Sequence, residues 1–257
     1  MSSHVYDTAY VAISQLLNRR YNNPLGDSLF PLLTRLTAPR ARPLRVLDVG
    51  CGRGHTTLYW ARQGATVVGF DPAKSMLAEA QQLVDNAQLS HQVQLYPQSL
   101  RNFTTTQSFD LILVHDVLCY SDRRKADLRR LLAMAAPGAL LSLSDYFAES
   151  DAPAVTALLA AWGIQMPQGF AAQSHELAQL GANLLWVGET TRQYRAHWAD
   201  MRARISRERQ LFIERAGAAG LAAFEHKIAT IEAAVASRQF GHYWALLAAQ
   251  DTEAVNA

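Results

Sequence analysis

Cysteine is scarce in this chain, which has only Cys51 and Cys119 among its 257 residues. Two cysteines cannot form a disulfide framework, and their scarcity fits a reducing compartment. No apolar run approaches the length that crosses a membrane. The start, Met1-Ser2-Ser3-His4, lacks the charged-then-apolar pattern of a signal peptide. We therefore expect a soluble cytoplasmic protein that does not bind membranes.

An excess of charge of one sign is also missing, because charged residues make up 18% of the chain and the formal net charge is +2. This balance gives no strong attraction to nucleic acid. Arginines cluster in residues 40–45 and 202–209, which we interpret first as solvated surfaces and second as phosphate contacts. No residue cluster resembles a metal site, so none is predicted. Hydrophobic residues make up 49%, enough for one large α/β domain with an elaboration.

The most informative stretch of the sequence is a short apolar run, residues 44–49, that breaks into Gly50-x-Gly52-x-Gly54. The run predicts a buried parallel strand, and the residues after the glycines predict a helix. Glycines allow backbone angles closed to other residues and let the backbone approach a ligand. The free N–H groups of the helix N-terminus attract an anionic group, and Asp48 places a carboxylate beside them. The pair suits a zwitterion such as an amino acid.

A second apolar strand, residues 66–70, ends in Asp71-Pro72 about twenty residues beyond the glycines. An acid at this distance bonds ribose hydroxyls in related α/β folds. Asp followed by Pro is also a common helix start, with Asp as the N-cap. Both interpretations are compatible, because one carboxylate oxygen can cap while the other faces the sugar.

Two later motifs predict the next strands of the same sheet. Residues 109–116 form an apolar strand that ends in His115-Asp116. Residues 131–136 predict a helix end, Pro137-Gly138 a turn, and residues 139–146 a further strand. Together with the glycine loop, these motifs resemble class I S-adenosylmethionine (SAM)-dependent methyltransferases over roughly residues 44–146.

This resemblance implies SAM as cofactor and S-adenosylhomocysteine as product. It also implies a cofactor site at the carboxyl ends of the strands. The family commonly has an acid after strand three, near the adenine, whereas this chain has Ser99 there and Leu100 on the adenine face. The expected cofactor-binding residues are Asp48, Gly50, Cys51, Gly52, Gly54, Asp71, Pro72, Met76, Ser99, Leu100, His115 and Asp116.

Strands and helices alternate from Leu44 onward, which predicts an α/β fold with a doubly wound, Rossmann-like sheet of seven strands. The predicted helices of this part are 57–62, 73–89 and 124–135, then 152–162 and 174–180. The predicted third, sixth and last strands are 92–96, 184–189 and 240–248. We expect an N-terminal helical cover (1–43), a SAM-binding core (44–190), a helical lid divided near Gly217 (191–238), and a final strand with a tail (239–257).

Within the family, the layout is most similar to phosphoethanolamine and related amine N-methyltransferases. The shared features are Ser144-Asp145-Tyr146, Tyr194 at the start of the insertion, and Gly241-His242-Tyr243 in the last strand. Tyr120 stands where those enzymes carry a histidine for proton handling, and their phosphate-binding residues have no clear counterpart. We therefore do not predict a phosphobase substrate.

The resemblance and the residue types give the candidates for chemistry. The expected catalytic residues are His115, Tyr120 and Tyr194, and the intrinsic pKa of histidine suits a base near neutrality. A histidine at a strand end is equally often held by nearby backbone. The expected acceptor-binding residues are Tyr6, Tyr10, Tyr21, Asp145, Tyr146, His197, Trp198 and Tyr243. For single aromatic residues among them, core packing is the plainer interpretation.

Three functions remain open at this stage. The first is SAM-dependent methylation of a nitrogen or oxygen of a small molecule, which the helical insertion and near-neutral charge favour. The second is methylation of a modified tRNA base, because the block 44–116 also resembles wobble-uridine carboxylate methyltransferases. That second function requires a broad basic face. The third is a non-catalytic SAM-binding scaffold, against which the intact motif residues argue.

Overall fold

The structure, a computed structural model, describes Ile13, Leu16, Leu25, residues 28–38 and residues 42–250. One sheet of seven strands organises this part, in the order β3-β2-β1-β4-β5-β7-β6. The strands are β1 (Arg45–Val49), β2 (Thr66–Phe70), β3 (Val93–Tyr96), β4 (Phe109–His115), β5 (Ala135–Ala148), β6 (Asn183–Glu189) and β7 (Phe240–Ala248). Strands β1 to β5 pair in parallel, and β7 runs antiparallel between β5 and β6. The predicted α/β fold with a doubly wound seven-stranded sheet is confirmed.

Eight α-helices accompany the sheet in residues 28–38 and 42–250. They are α1 (Phe30–Thr37), α2 (His55–Arg62), α3 (Lys74–Asn86), α4 (Arg124–Leu132), α5 (Pro153–Trp162), α6 (Phe170–Ala178), α7 (Thr191–Arg207) and α8 (Arg209–Ala236). Helices α7 and α8 lie between β6 and β7 in the chain, where the helical insertion is expected. Gly217 interrupts α8 with φ 76° and ψ 155°, at the predicted division, and a further break at Glu208 separates α7 from α8.

Some predicted element bounds are wrong, and hydrogen bonding explains why. Helix α4 ends at Leu132 instead of residue 135, because Ala135 already pairs with Phe109 of β4. Strand β5 therefore runs through the predicted turn at Pro137-Gly138, where the register with β4 shifts. Helix α3 stops at Asn86 because Gln88 takes a left-handed conformation. Helix α6 begins at Phe170, four residues before the predicted start.

Side chains of β5 and β7 alternate between two faces of the sheet, as the strand period requires. One face, here called the His242 face, carries Ser144, Tyr146, His242 and Trp244, since Ser144 pairs with Trp244 and Tyr146 with His242. The part of this face around Tyr146 packs against α5, α7 and α8. The opposite face, here called the Arg124 face, carries the pair Asp145 and Tyr243 together with a separate apolar cluster. Neighbouring residues of one strand thus enter different environments.

Candidate active site

The loop between β1 and α2 turns through three glycines with positive φ: 67° at Gly50, 51° at Gly52 and 78° at Gly54. A Cβ on Gly50 would lie 2.5 Å from Val117, and one on Gly54 would lie 2.6 Å from Ala80. A Cβ on Gly52 would meet no atom of the described residues within 4 Å. The outer two glycines therefore let the loop pack, whereas a side chain at Gly52 would extend into space that the described residues leave open.

Asp48 lies at the end of β1 under this loop, and its side chain is buried. The hydroxyl of Thr57 in α2 donates a hydrogen bond to Asp48 Oδ2 at 2.6 Å. Burial raises the pKa of Asp48 to about 6, and the nearby Asp71 carboxylate adds to the rise. A carboxylate with so few internal donors is well prepared to receive a cationic group.

Asp71, at the end of β2, is tied to the same loop. The amide of Gly52 donates to its Oδ2 at 3.0 Å, and the amide of Ala73 donates to its Oδ1 at 2.8 Å. Because α3 begins at Lys74 with Ala73 as its N-cap residue, the interpretation of Asp71 as the N-cap is wrong. Burial raises the pKa of Asp71, while the two amide donors oppose the rise. The carboxylate sets the spacing between the ends of β1 and β2.

The other expected cofactor residues surround this edge in different ways. Cys51 is buried beside Gly69, and burial raises the pKa of its thiol. Met76 is buried on α3, whereas Pro72 is exposed. Leu100 is buried in the same apolar cluster as Phe70, and Ser99 is partly buried. These residues stay predictions for cofactor binding.

His115 ends β4 on the His242 face, in register with Ser144. Its Nε2 lies 3.0 Å from Ser142 Oγ, which also accepts a hydrogen bond from Trp244 Nε1 at 2.9 Å. Burial lowers the pKa of His115 to about 4, although Asp116 opposes the change. His115 is therefore neutral and a weak base near pH 7, which argues against the base role that its intrinsic pKa suggested.

Asp116 follows in a left-handed conformation, with φ 58°. Its Oδ1 accepts hydrogen bonds from Ser144 Oγ and from His242 Nε2, both at 2.9 Å. These contacts, and the positive charge that His242 and His115 carry when protonated, lower the pKa of Asp116 in spite of its burial. On the far side of the ring, His242 Nδ1 lies 2.6 Å from Thr190 Oγ1. A buried chain of polar groups thus connects β4, β7 and the start of α7.

Aromatic residues border this chain. The Tyr194 ring stacks on His242 with an interplanar angle of 2°, and Tyr146 meets both rings edge-on. Tyr120 packs against the same cluster, and Trp198 contacts Tyr194. Burial raises the pKa of Tyr146 and Tyr194, so both phenols are neutral. The structure therefore brings three predicted acceptor-side tyrosines to one place next to Asp116.

Two predicted acceptor residues lie on the Arg124 face instead. Arg124 donates to Asp145 Oδ2 and to the Tyr243 hydroxyl, each at 2.5 Å. The Tyr243 hydroxyl donates to Gln173 at 2.9 Å. Asp145 and Tyr243 are thus on the opposite side of the sheet from Asp116 and Tyr146, because their positions in the strands have the other parity. Acceptor binding by Asp145 and Tyr243 stays a prediction, which their place on the Arg124 face does not favour.

The remaining predicted residues are spread more widely. His197 lies on α7, partly buried, with its ring edge-on to Trp198. Tyr6, Tyr10 and Tyr21 lie outside the described residues. From the N-terminal segment, Ile13 and Leu16 pack in the cluster that contains Tyr146 and Tyr194.

Sequence reasoning missed His242 and Thr190 as site residues. His242 appeared only as part of a Gly-aromatic motif. The available signal was a histidine within the otherwise apolar strand Phe240–Ala248, since a buried polar side chain requires a partner. That partner is Asp116, which lies 126 residues away in the chain. The sequence alone does not show that the two residues pair.

Several arginines of the two clusters pair with carboxylates. Arg42 forms two hydrogen bonds of 2.7 Å with the buried Asp110. The second cluster contains the ion pairs Arg202–Glu232, Arg204–Glu208 and Arg209–Glu225.

Among the described residues, no helix is long and apolar enough to cross a membrane. The same part of the chain holds no group of three His, Cys, Asp or Glu side chains suited to a metal.

Comparison with curated proteins and solved structures gives consistent relatives. A malonyl-[acyl-carrier protein] O-methyltransferase of Enterobacter lignolyticus is 33% identical over 134 residues, covering 51% of this chain and 50% of that protein. A trans-aconitate 2-methyltransferase of Variovorax paradoxus is 34% identical over 131 residues, covering 49% and 47%. The chain thus spans about half the length of these relatives.

Among solved structures, phosphoethanolamine N-methyltransferase 2 of Haemonchus contortus, in complex with S-adenosyl-L-methionine, has a TM-score of 0.80. Its sequence identity is 17%, with 97% of this chain and 58% of that chain covered, so the likeness concerns the fold. The methyltransferase domain family matches residues 19–184, which include the glycine loop, Asp71 and Asp116. The chain therefore belongs to the methyltransferase domain family and has the class I fold of SAM-dependent methyltransferases.

Proposed function

We propose that this protein is a SAM-dependent methyltransferase that methylates a nitrogen or oxygen atom of a small molecule. The observation that carries the proposal is the position of the glycine loop, with Asp48 and Asp71, beside the Asp116–tyrosine cluster. A cofactor edge and an acceptor side then meet at the carboxyl ends of β1, β2 and β4.

The residues at the glycine loop fit the two charged ends of the methionine part of SAM. The first turn of α2 offers unsatisfied N–H groups to its carboxylate, and buried Asp48 offers a negative charge to its ammonium. The open space at Gly52 accommodates the close approach of a ligand. Asp71, already bonded to two amides, would hold the ribose through its remaining lone pairs.

The acceptor side combines one carboxylate with aromatic rings. Asp116 is ionised near neutral pH, and Tyr120, Tyr146 and Tyr194 lie around it. A carboxylate and ring faces favour a neutral or cationic acceptor over an anionic one. Arg124, on the other face, is committed to Asp145.

When bound, SAM supplies an electrophilic methyl group on a sulfonium. The chain's own part in the reaction is to align the acceptor and to exclude water, and such positioning supplies much of the rate in reactions of this kind. The buried aromatic cluster of α5, α7 and α8 would shield the acceptor side from water. An acceptor that carries a proton would give it up to water, since the pKa of His115 and that of Asp116 are both lowered and too low for this task.

The names of the relatives refer to acceptors of different kinds, among them the small molecules trans-aconitate and phosphoethanolamine. Two are named for O-methylation of malonyl-[acyl-carrier protein] and for trans-aconitate, and the structural neighbour for N-methylation of phosphoethanolamine. Paired arginines leave little basis for the broad basic face that tRNA requires. A cytoplasmic location stays a prediction from the sequence.

The test follows a labelled methyl group from SAM into a cell metabolite extract and, separately, into bulk tRNA. We expect label in a small molecule, whose mass then identifies the acceptor. Label in tRNA would overturn the small-molecule proposal, and binding of SAM without transfer to either would favour a scaffold.

A matched pair of variants controls this assay. Gly52→Val should lose SAM binding in calorimetry, because the side chain fills the open space at the loop. Gly64 has a comparable φ of 81° and the same open surroundings, but it lies in the turn after α2, away from the site. Gly64→Val therefore carries similar backbone strain and should retain binding. Equal binding by both variants would contradict the placement of SAM.

A further inference from the structure

Packing alone does not explain the hydrogen-bonded series of side chains Thr190–His242–Asp116. Thr190 and His242 are buried, with 5% and 0% of their surface exposed. The other residues of β7, the strand that carries His242, are mainly apolar. Burial of an imidazole costs free energy unless both nitrogens are satisfied. Here both are, through Asp116 Oδ1 at 2.9 Å and Thr190 Oγ1 at 2.6 Å. The ring is therefore fixed in one orientation by groups from two other elements.

This arrangement prevents His242 from touching the acceptor. Its two nitrogens are occupied, Tyr194 stacks on its ring, and Tyr146 packs against it edge-on. Asp116, in contrast, is 14% exposed. Its Oδ1 accepts from Ser144 and His242, whereas no hydrogen bond to its Oδ2 is seen from the described residues. Among the described residues, Oδ2 is therefore the oxygen of the Asp116 carboxylate that remains available to a ligand.

The backbone at Asp116 requires support. A left-handed φ of 58° is unusual for a residue other than glycine, and such conformations persist where surrounding contacts hold them. The amide of Asp116 donates to Ser144 O at 2.9 Å, and the side chain is anchored by Ser144 Oγ and His242. The conformation turns the residue out of β4 at the edge where the acceptor site lies.

We infer that His242, oriented by Thr190, is a positioning residue of the methyl-transfer site, which holds the Asp116 carboxylate with Oδ2 directed to the acceptor. The inference rests on the proposed function. It differs from a packing role, in which any side chain that fills the volume of the imidazole would serve. The other titratable groups around the pair are His115, Cys119, Asp145, Tyr146 and Tyr194.

Two substitutions of His242 separate these roles. A glutamine amide nitrogen can replace Nε2 and still donate to Asp116, whereas an asparagine amide can replace Nδ1 and reaches only Thr190. We expect His242→Asn to lower the rate of methyl transfer about tenfold or more, the equivalent of a hydrogen bond to a charged group. His242→Gln should recover most of this loss. SAM affinity, measured by calorimetry, should change in neither. Equal rates in the two variants would overturn the inference.

A second measurement requires no acceptor and keeps failure of the proposed function distinguishable. The titration of the Asp116 carboxyl carbon is followed by NMR in the wild type and both variants. We expect the pKa of Asp116 to rise in His242→Asn and to rise less in His242→Gln, because only the latter donates to the carboxylate. An unchanged pKa in both would reject the positioning role, whatever the activity assay gives. Absence of methyl transfer in the wild type, with the expected titrations, would reject the methyltransferase activity alone.

Discussion

Asp116, which is partly buried, and Asp145, which is buried, lie near the ends of adjacent strands, but they have different partners. Asp145, on the Arg124 face, accepts a guanidinium at 2.5 Å and the amide of Tyr146 at 2.9 Å. Asp116, beside the His242 face, accepts a serine hydroxyl and an imidazole. A guanidinium is always charged and neutralises its partner, so Asp145 contributes to the structure. Asp116 keeps its negative charge, to which a ligand can bind. The two faces therefore separate an acid paired with a guanidinium from an acid that we propose to contact the acceptor.

The strongest way to break this comparison is to remove Arg124. Arg124→Met should lower the free energy of unfolding by about 3–5 kcal/mol, because it leaves Asp145 buried and uncompensated. Urea unfolding measures the change. The matched control is Arg123→Met, since Arg123 pairs with Asp127 at 3.6 Å but is 45% exposed, and surface pairs of this kind contribute about 1 kcal/mol or less. Similar losses in the two variants would remove the distinction between the faces.

Asp48 offers a third carboxylate, one without a cation. Its pKa of about 6 in the folded protein lies above the ordinary value, so stability present at acidic pH is lost as the pH rises through 6. Asp48→Asn should therefore be more stable than the wild type at pH 7, by about 3 kcal/mol, with the difference vanishing toward pH 4. SAM binding should weaken at the same time. Unfolding at several pH values tests this sign, and a variant less stable than the wild type at pH 7 would contradict it.

The comparison becomes sharper when both carboxylates are neutralised in turn. Asp116→Asn should slow methyl transfer by about 10- to 100-fold, because the removed charge contacts the acceptor, with little change in stability. Asp145→Asn should instead destabilise the protein, because Arg124 loses its charged partner. Transfer rates and melting temperatures of the two variants, measured side by side, decide the matter. A loss of stability in Asp116→Asn as large as in Asp145→Asn would place both residues in the structural class.

The smallest expected effect concerns Tyr120, at the border of the Asp116 cluster. Tyr120→Phe keeps the ring and removes one hydroxyl, so methyl transfer should slow by roughly fivefold, about 1 kcal/mol. SAM affinity should remain unchanged, because the residue lies on the acceptor side. Steady-state rates and calorimetry provide the two numbers. An unaltered rate would make Tyr120 a packing residue of the cluster.

The cofactor edge was predictable from the sequence, because its signals are local. Three glycines in a fixed spacing, an acid before them, and an acid at the end of the next strand all lie within 24 residues. Parallel strands alternate with helices, which brings their carboxyl ends to one edge. The doubly wound sheet of seven strands and the interruption at Gly217 could be predicted from the same local patterns. Element ends such as that of α4 could not, because strand pairing decides them.

The acceptor side was only partly predictable, since its residues come from distant parts of the chain. The sequence by itself determined that Tyr146 and Asp145 lie next to each other, and that Tyr243 follows His242. Only the tertiary structure decided which member of each pair faces Asp116, because the faces depend on the register between β5 and β7. The same register placed His242 between Asp116 and Thr190, and Arg124 against Asp145. Local sequence therefore defined the cofactor loop, while long-range pairing selected the residues around the acceptor.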